Sequence, residues 1–345
     1  MTGIMVLKSH DIDNPRVTPS EPLVDKFGRR HDYLRVSLTD RCNFRCLYCM
    51  PEAGVEWKER SEILTLEEIE RVVALFGRLG VRKVRLTGGE PTIRKGLVDL
   101  VSRLGKIPGI EEIHLTTNGF LLADLAGPLR DAGLCGVNVS LDSLQRDRFE
   151  EITQRDALDR VLAGIDGAVA SGIATKLNVV VIPGMNEDEL ADFVRFGARH
   201  GVQVRFIEFM PFFGNPWRPD RVMGLREIRA RIEEQWRLRP LARGPHAVAQ
   251  EFAVEGLPTS IGFVASMTDS FCESCNRLRI TADGRFKTCL FLPTQSSLRD
   301  RMRAGADDDA LARAVRADLR TKWRAHPPMD RWDRLDPLSM VEIGG

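Results

Sequence analysis

The chain reads as an α/β protein built on a closed or partly closed barrel of six parallel strand–helix units, with a smaller cysteine-bearing domain behind it. Three observations predict this. Between residues 33 and 210, short β-rich runs alternate with helical patterns, and strands joined by helices pair in parallel through right-handed crossovers. From about Pro211 prolines and glycines become dense, as in MPFFGNPWRP, and strong alternation is lost, which marks a second unit. Six of the seven cysteines fall into two tight groups, one in each part. A doubly wound sheet satisfies the same alternation and stays open at this point.

Taken in order, residues 1–22 hold an apolar run of only a few residues and then three prolines. That fits neither a secretory signal nor a membrane span, and predicts a flexible arm in a cytoplasmic protein. The core, residues 23–210, carries strand candidates YLRVSL from Tyr33, KVRLT from Lys83, EIHLTT from Glu112, GVNVSLD from Gly136, TKLNVVVI from Thr175 and VQVRFIEFM from Val202, each with turn or cap residues around it. The clearest helix is TLEEIERVVALFGRLG. Thr65 and Glu68 make a capping box, Leu66, Ile69, Val72, Val73, Phe76 and Leu79 line one face, and Gly80 closes the end. Chemistry in such folds collects just past the C-terminal ends of the strands. That singles out the cysteine loop after Leu38, TGGEP after Leu86, TTNG after Leu115, Ser140 and Asp142, Lys176 with Asn178, and the RFIEFM end.

In residues 211–345, Asp283-Gly284 predicts a two-residue type I′ hairpin. Folding there sets Cys289 beside Leu278 and gathers Cys272, Cys275 and Cys289 at one end. RAGADDDALARAVRADLR reads as a solvated, charged helical surface. Cys135 reads as a small buried apolar residue at a strand start, and the six histidines show no paired ligand spacing. Lys plus Arg, 50, nearly balances Asp plus Glu, 49, so nothing global draws the chain to nucleic acid or an anionic membrane. Any anion must be held locally.

The first group, Cys42, Cys46 and Cys49, is C-x3-C-x2-C on a loop; the next histidine is His114 and the next cysteine Cys135. Closed structural zinc wants four ligands, usually as two pairs. Three thiolates in one short loop suit a 4Fe-4S cluster that leaves one iron for a small-molecule ligand. A zinc site borrowing a distant histidine, or three unrelated thiols, are the plainer alternatives. The second group, C-x2-C-x13-C, offers three thiolates again, and here a zinc knuckle completed by Asp, Glu or His fits the spacing as well.

CNFRCLYC resembles the cluster loop of the radical S-adenosylmethionine (SAM) superfamily, and GGEP, Gly88 to Pro91, resembles its SAM-contacting segment. CNRLRITADGRFKTCLF resembles the C-terminal signature of the GTP 3′,8-cyclase family. DYLRVSLTDRCNFRCLYCMP, VRLTGGEPTIR, LTTNG, NVSLDSL, RFIEFMP and the final Gly-Gly follow that family's pattern from about Leu23 onward. The resemblance implies a partial (βα)6-type TIM barrel, the radical SAM core, with a C-terminal auxiliary iron-sulfur cluster domain. It further implies two 4Fe-4S clusters, on Cys42, Cys46 and Cys49 and on Cys272, Cys275 and Cys289, the second carrying substrate on its open iron.

By the same resemblance SAM contacts Tyr48, Gly89, Ser140 and Met210. GTP contacts Arg35, Arg85, Thr116, Lys176, Arg277, Arg279 and the backbone at Leu278, with Arg205 an addition to that set. Reductive cleavage of SAM would give a 5′-deoxyadenosyl radical, hydrogen abstraction at the ribose 3′ position would follow, and attack on guanine carbon 8 would close the ring, a lyase step in molybdenum cofactor biosynthesis. Charge chemistry agrees, because a triphosphate needs clustered Arg and Lys. Gly344 and Gly345 would reach into the active site with a catalytic role, since only residues without side chains thread a crowded pocket. The implied partners are GTP, an electron donor of flavodoxin or ferredoxin type and a downstream pathway enzyme, with a homodimer compatible. Two other readings stand: another radical SAM enzyme with an auxiliary cluster, such as a peptide-maturing oxidoreductase, and a non-enzymatic zinc-binding adaptor.

Overall fold

A computed structural model describes residues 21–327 and 338–345; of the expected arm, residues 1–20 lie outside the described residues. All six core strands are present: β1 (Tyr33–Ser37), β2 (Lys83–Thr87), β3 (Glu112–Thr117), β4 (Gly136–Ser140), β5 (Ala174–Val181) and β6 (Gln203–Glu208). They pair in parallel and in sequential order, without the reversal that defines a doubly wound sheet. β1 and β6 are not neighbours, so the barrel is partial.

Helices α1 (Leu66–Arg78), α2 (Leu97–Leu104), α3 (Leu122–Asp131), α4 (Arg146–Thr153), α5 (Leu158–Ala170) and α6 (Leu190–His200) fill the connections. The capping box of Thr65 and Glu68 is formed, and α1 buries Ile69, Val72, Val73, Leu75 and Phe76. They meet Leu34, Val36, Val84 and Leu86 of the strands in one continuous core. Each such side chain stabilises the fold by about 1.5–3 kcal/mol relative to exposure.

Side chains of a strand alternate between faces. Residues that alternate with this apolar set, such as Arg35, Arg85 and Lys176, therefore face the other way, into the barrel. Register fixes their neighbours: Arg279, Arg35, Arg85 and His114 stand side by side on four consecutive strands.

Beyond residue 210 the chain extends the sheet at both ends. β7 (Leu238–Pro240), β8 (Gln250–Val254) and β9 (Ser260–Val264) form an antiparallel unit whose last strand pairs in parallel with β6. β10 (Arg277–Ile280) pairs in parallel with β1, and β11 (Phe286–Lys287) folds back on β10. One eleven-stranded sheet thus crosses the expected boundary at residue 210.

Three expectations are corrected. The β10–β11 hairpin is not a two-residue type I′ turn: Gly284 N–H donates to Thr281 O and Thr281 N–H to Arg285 O, and only Gly284, at φ +77°, is left-handed. Asp283 is not left-handed, as type I′ requires, so the loop has three residues and the register moves by one. Arg279 faces Lys287, which sets Cys289 beyond the strand opposite Arg277 rather than beside Leu278. The charged stretch is not one solvated surface. After α7 (Leu225–Glu233) and α8 (Leu298–Arg303), it forms α9 (Asp308–Leu319); Asp307 caps this helix, and Leu311, Val315 and Leu319 are buried. Cys135 is exposed, because it sits in the turn before β4 and not in its apolar layer. The final helix, α10 (Met340–Ile343), carries the chain to Gly344 and Gly345.

Candidate active site

The first cysteine loop leaves β1 and is pinned at three places. Phe44 is buried edge-on to Phe120 and Phe149, with ring centroids 5.9 Å apart in both pairs. Arg45 N–H and Leu47 N–H donate to the carbonyls of Thr153 and Ile152 at the end of α4, both at 3.0 Å. The Tyr48 hydroxyl donates to Asp142 at 2.7 Å, and Asp142 also accepts from the Val180 N–H. Burial raises the Asp142 carboxyl to about 6 although the Tyr48 bond works against it.

GGEP at the end of β2 seats against the start of this loop. Gly89 N–H donates to Thr39 O at 2.7 Å and Glu90 N–H to Arg41 O at 2.8 Å. A Cβ on Gly89 would lie 2.6 Å from the Asp40 carbonyl oxygen and closer still to that of Arg41, so close approach excludes a side chain. The Glu90 carboxylate, fully buried, accepts from Thr92, Thr117 and the Asn118 N–H. It locks the ends of β2 and β3 together.

Cys272, Cys275 and Cys289 surround the open end of the β10–β11 hairpin, and all six cysteines border a single cavity of about 550 Å³. Burial pushes the Cys42 thiol up to about 11 and those of Cys46, Cys49 and Cys272 upward as well, each also feeling its neighbours' charge. Cys275 goes the other way. Burial raises it, but Arg277 and Lys322 together outweigh that and bring it to about 6.

Among the described residues, no three His, Cys, Asp or Glu side chains converge as they would around a single metal ion. The thiols of each trio lie close enough to feel one another's charge and border the cavity, and among the described residues no further His, Cys, Asp or Glu completes either set. That donor set fits a 4Fe-4S group with one iron left open, and the thiols must lose protons to hold it.

Between the trios lies the cationic face. Arg279 is buried and Arg35 partly so; desolvation lowers Arg35 to about 10 and takes Arg279 well down, with neighbouring arginines adding to the effect. Among the described residues the Arg35 Nε has no hydrogen-bond partner. Arg85 Nε donates to the Tyr33 hydroxyl at 2.6 Å and its Nη1 to Leu115 O at 2.8 Å. Burial raises the Tyr33 phenol, but Arg85 and Arg35 overcome it and hold it at about 8. Like charges side by side in a sheet destabilise it, so this row calls for a polyanion.

Residues 36–197 match the Radical SAM superfamily and residues 202–328 match Molybdenum Cofactor Synthesis C. The chain is 42% identical over 340 residues to the mitochondrial GTP 3′,8-cyclase of Arabidopsis thaliana, covering 98% of this chain and 87% of that one. With the GTP 3′,8-cyclase of Rhodopirellula baltica it shares 46% over 331 residues, 94% of this chain and 92% of that one. The chain belongs to the GTP 3′,8-cyclase family of radical SAM proteins. The Molybdenum cofactor biosynthesis protein 1 of Drosophila melanogaster is 47% identical over 309 residues; this chain spans about half of that longer relative, 55%. Among solved structures, SuiB of Streptococcus suis has the same fold, with a TM-score of 0.58 at 14% identity over 77% of this chain and 62% of that one.

For a member of the cyclase family, the expected residues converge well. Tyr48, Gly89, Ser140, Met210, Arg35, Arg85, Thr116, Lys176, Arg205, Arg277, Arg279 and Gly345 all border the cavity. Leu278 does not: it is absent from the cavity lining, its side chain buried in the apolar core between Arg277 and Arg279. Gly344 donates no surface to the cavity but its carbonyl accepts from Thr87 Oγ1 at 2.9 Å. Its φ is +88°, and a Cβ there would collide with Ser37. The terminal main-chain oxygen of Gly345 accepts from Arg35 and, at 3.1 Å, from Arg279.

Sequence reasoning missed Tyr33 and Lys83, which also border the cavity. The signal was there, since each lies two residues before a chosen arginine and so on the same strand face. It assigned no role to the histidines, three of which, His114, His246 and His326, line the cavity through long-range folding without any local spacing.

Proposed function

We propose that the chain is a radical SAM GTP 3′,8-cyclase, a lyase that joins the ribose 3′ carbon of GTP to carbon 8 of its guanine in molybdenum cofactor biosynthesis. The observation that carries the reading is the row of Arg279, Arg35 and Arg85 lying between two open cysteine trios in one cavity. A triphosphate supplies the charge this row lacks. Full-length likeness to relatives bearing the same name supports it.

When bound, the first cluster and SAM supply the reductive chemistry that starts hydrogen abstraction, and the protein orients and shields it. Cys42, Cys46 and Cys49 would hold that cluster, with Tyr48, Gly89, Ser140 and Met210 at four separate positions around SAM. Cys272, Cys275 and Cys289 would hold the second cluster beside the guanine. Arg35, Arg85, Lys176, Arg277 and Arg279, with Arg205, Thr116 and the Leu278 backbone, would fix the nucleotide so that its ribose meets the radical. Gly344 and Gly345 close this pocket against Ser37 and Thr87. In the cytoplasm an electron donor of flavodoxin or ferredoxin type would reduce the first cluster, and a later enzyme of the pathway would take the product; a homodimer is compatible. Among the described residues no helix is long and apolar enough to cross a membrane.

The test is reconstitution without oxygen, followed by SAM, dithionite and GTP. 5′-Deoxyadenosine together with a cyclised guanine nucleotide is expected. Deoxyadenosine with no product from GTP would keep the superfamily and remove the substrate. The Cys272→Ala variant should lose GTP turnover while its first cluster still binds SAM.

A further inference from the structure

Lys322 follows α9 and is only 2% exposed. Its Nζ lies 2.6 Å from Thr288 O, 3.0 Å from Arg277 O and 3.9 Å from Cys275 Sγ. Thr288 precedes Cys289 and Arg277 lies two residues past Cys275, so one ammonium ties together both sides of the hairpin that carries the second trio. Its hydrogen-bond partners among the described residues are two carbonyls and a sulfur, none of them a carboxylate. A buried cation is costly unless negative charge stands close by. The groups that can supply it here are the thiolates of Cys275 and Cys289, the two whose charge Lys322 feels most.

The segment bearing Lys322 is itself braced. Arg29 donates to Cys272 O at 2.6 Å, to Trp323 O at 2.7 Å and to Arg324 O at 2.7 Å. Asp25, buried, orients that guanidinium by accepting from Arg29 Nε at 2.6 Å and from the Phe27 and Arg29 N–H groups. The N-terminal hairpin around the Val24–Arg30 bridge thus ties the first ligand of the trio to the segment that holds Lys322.

We propose that Lys322, braced by Arg29 and Asp25, is the positioning residue of the second cysteine trio, a fixed positive charge that holds the hairpin closed and favours the more negative, reduced state of the iron-sulfur group bound there. This rests on the functional reading above. Hydrogen bonds and net charge around the sulfurs set the reduction potential of such groups, and a buried cation 3.9 Å from a ligand sulfur is little screened by solvent.

The experiment uses the full chain, reconstituted without oxygen, with iron and sulfide counted and both clusters followed by electron paramagnetic resonance during a potential titration. The first cluster is recognised by its response to SAM. Lys322→Met should move the midpoint of the second cluster to a more negative potential, or halve the iron content, with the SAM response intact; Lys322→Arg should stay near the unaltered protein. Full iron with an unmoved potential in Lys322→Met would overturn the proposal, and so would Lys322→Arg behaving as Lys322→Met does. If Lys322→Met does not fold, Arg29→Gln gives the reading: a smaller negative shift supports the brace and no shift overturns it. An unaltered chain that binds only one cluster would sink the functional reading together with this one, whereas two clusters with an unmoved variant would sink this one alone.

Discussion

At the scale of the residue, the site is a strand-face pattern turned to use. Alternation in YLRVS and KVRLT puts Leu34, Val36, Val84 and Leu86 into the apolar layer and leaves Tyr33, Arg35, Lys83 and Arg85 facing the cavity. That was legible for the arginines, because a buried charge demands a reason, and less so for Tyr33, which passes as an ordinary strand residue. Tyr33 now makes a sharp prediction, since the protein has two tyrosines. Tyr33 is held at about 8 and Tyr48 is pushed well up by burial and by Asp142. Phenolate absorbance should therefore show one tyrosine titrating near pH 8 and none at the ordinary value of about 10. The sign for stability follows from linkage. A depressed phenol pKa adds stability that is complete above the unfolded value of about 10 and lost as pH falls through about 8, so this contribution grows between those limits. GTP, by neutralising Arg35 and Arg85, should move the Tyr33 midpoint upward; a midpoint indifferent to GTP would place the triphosphate elsewhere. For Lys176→Met, loss of one charge-assisted contact of about 1.5–3 kcal/mol should weaken GTP binding roughly ten- to a hundredfold, measured by anaerobic titration.

Elements bring together what no local spacing announces. Six strand–helix units and both cysteine groups could be read directly, because period-two alternation and turn residues are local signals. That β10 would add itself to β1, aligning Arg279 with Arg35, could not, since edge pairing depends on the assembled sheet. The hairpin shows the limit well: Asp-Gly announces a turn, but loop length, and with it which residue faces Cys289, rests on the Thr281 hydroxyl, which accepts from Arg285 N–H at 3.0 Å. Lys322, two residues past the charged stretch that ends at Arg320, gave no local signal for the same reason. The Gly344-Gly345 end depends on α10, whose capping box of Ser339 and Glu342 aims the chain at Ser37 and Thr87. Placing alanine at Gly344 adds left-handed strain of about 1–3 kcal/mol and a clash with Ser37. Gly344→Ala should lower turnover of GTP at least tenfold, with a melting temperature close to that of the unaltered protein, because the displaced end is no part of the core. A variant of full activity would remove the tail from the catalytic pocket.

For the whole molecule, the extended sheet is what makes two distant cysteine groups neighbours. The first loop hangs from the end of β1, the second lies beside the start of β10, and β10 runs alongside β1. One cavity then holds two open trios with a cationic face between them. Removing either trio should leave the other able to bind its own small molecule, since each is anchored by separate contacts: Phe44, α4 and Asp142 for the first, Arg29 and Lys322 for the second. The most direct measurement is electron paramagnetic resonance of the anaerobically reconstituted chain carrying about eight irons, with SAM and GTP added one at a time. SAM should alter the signal of one cluster and GTP that of the other, and Cys272→Ala should abolish the GTP response while keeping the response to SAM. A single cluster per chain, or GTP and SAM acting on the same one, would contradict the account.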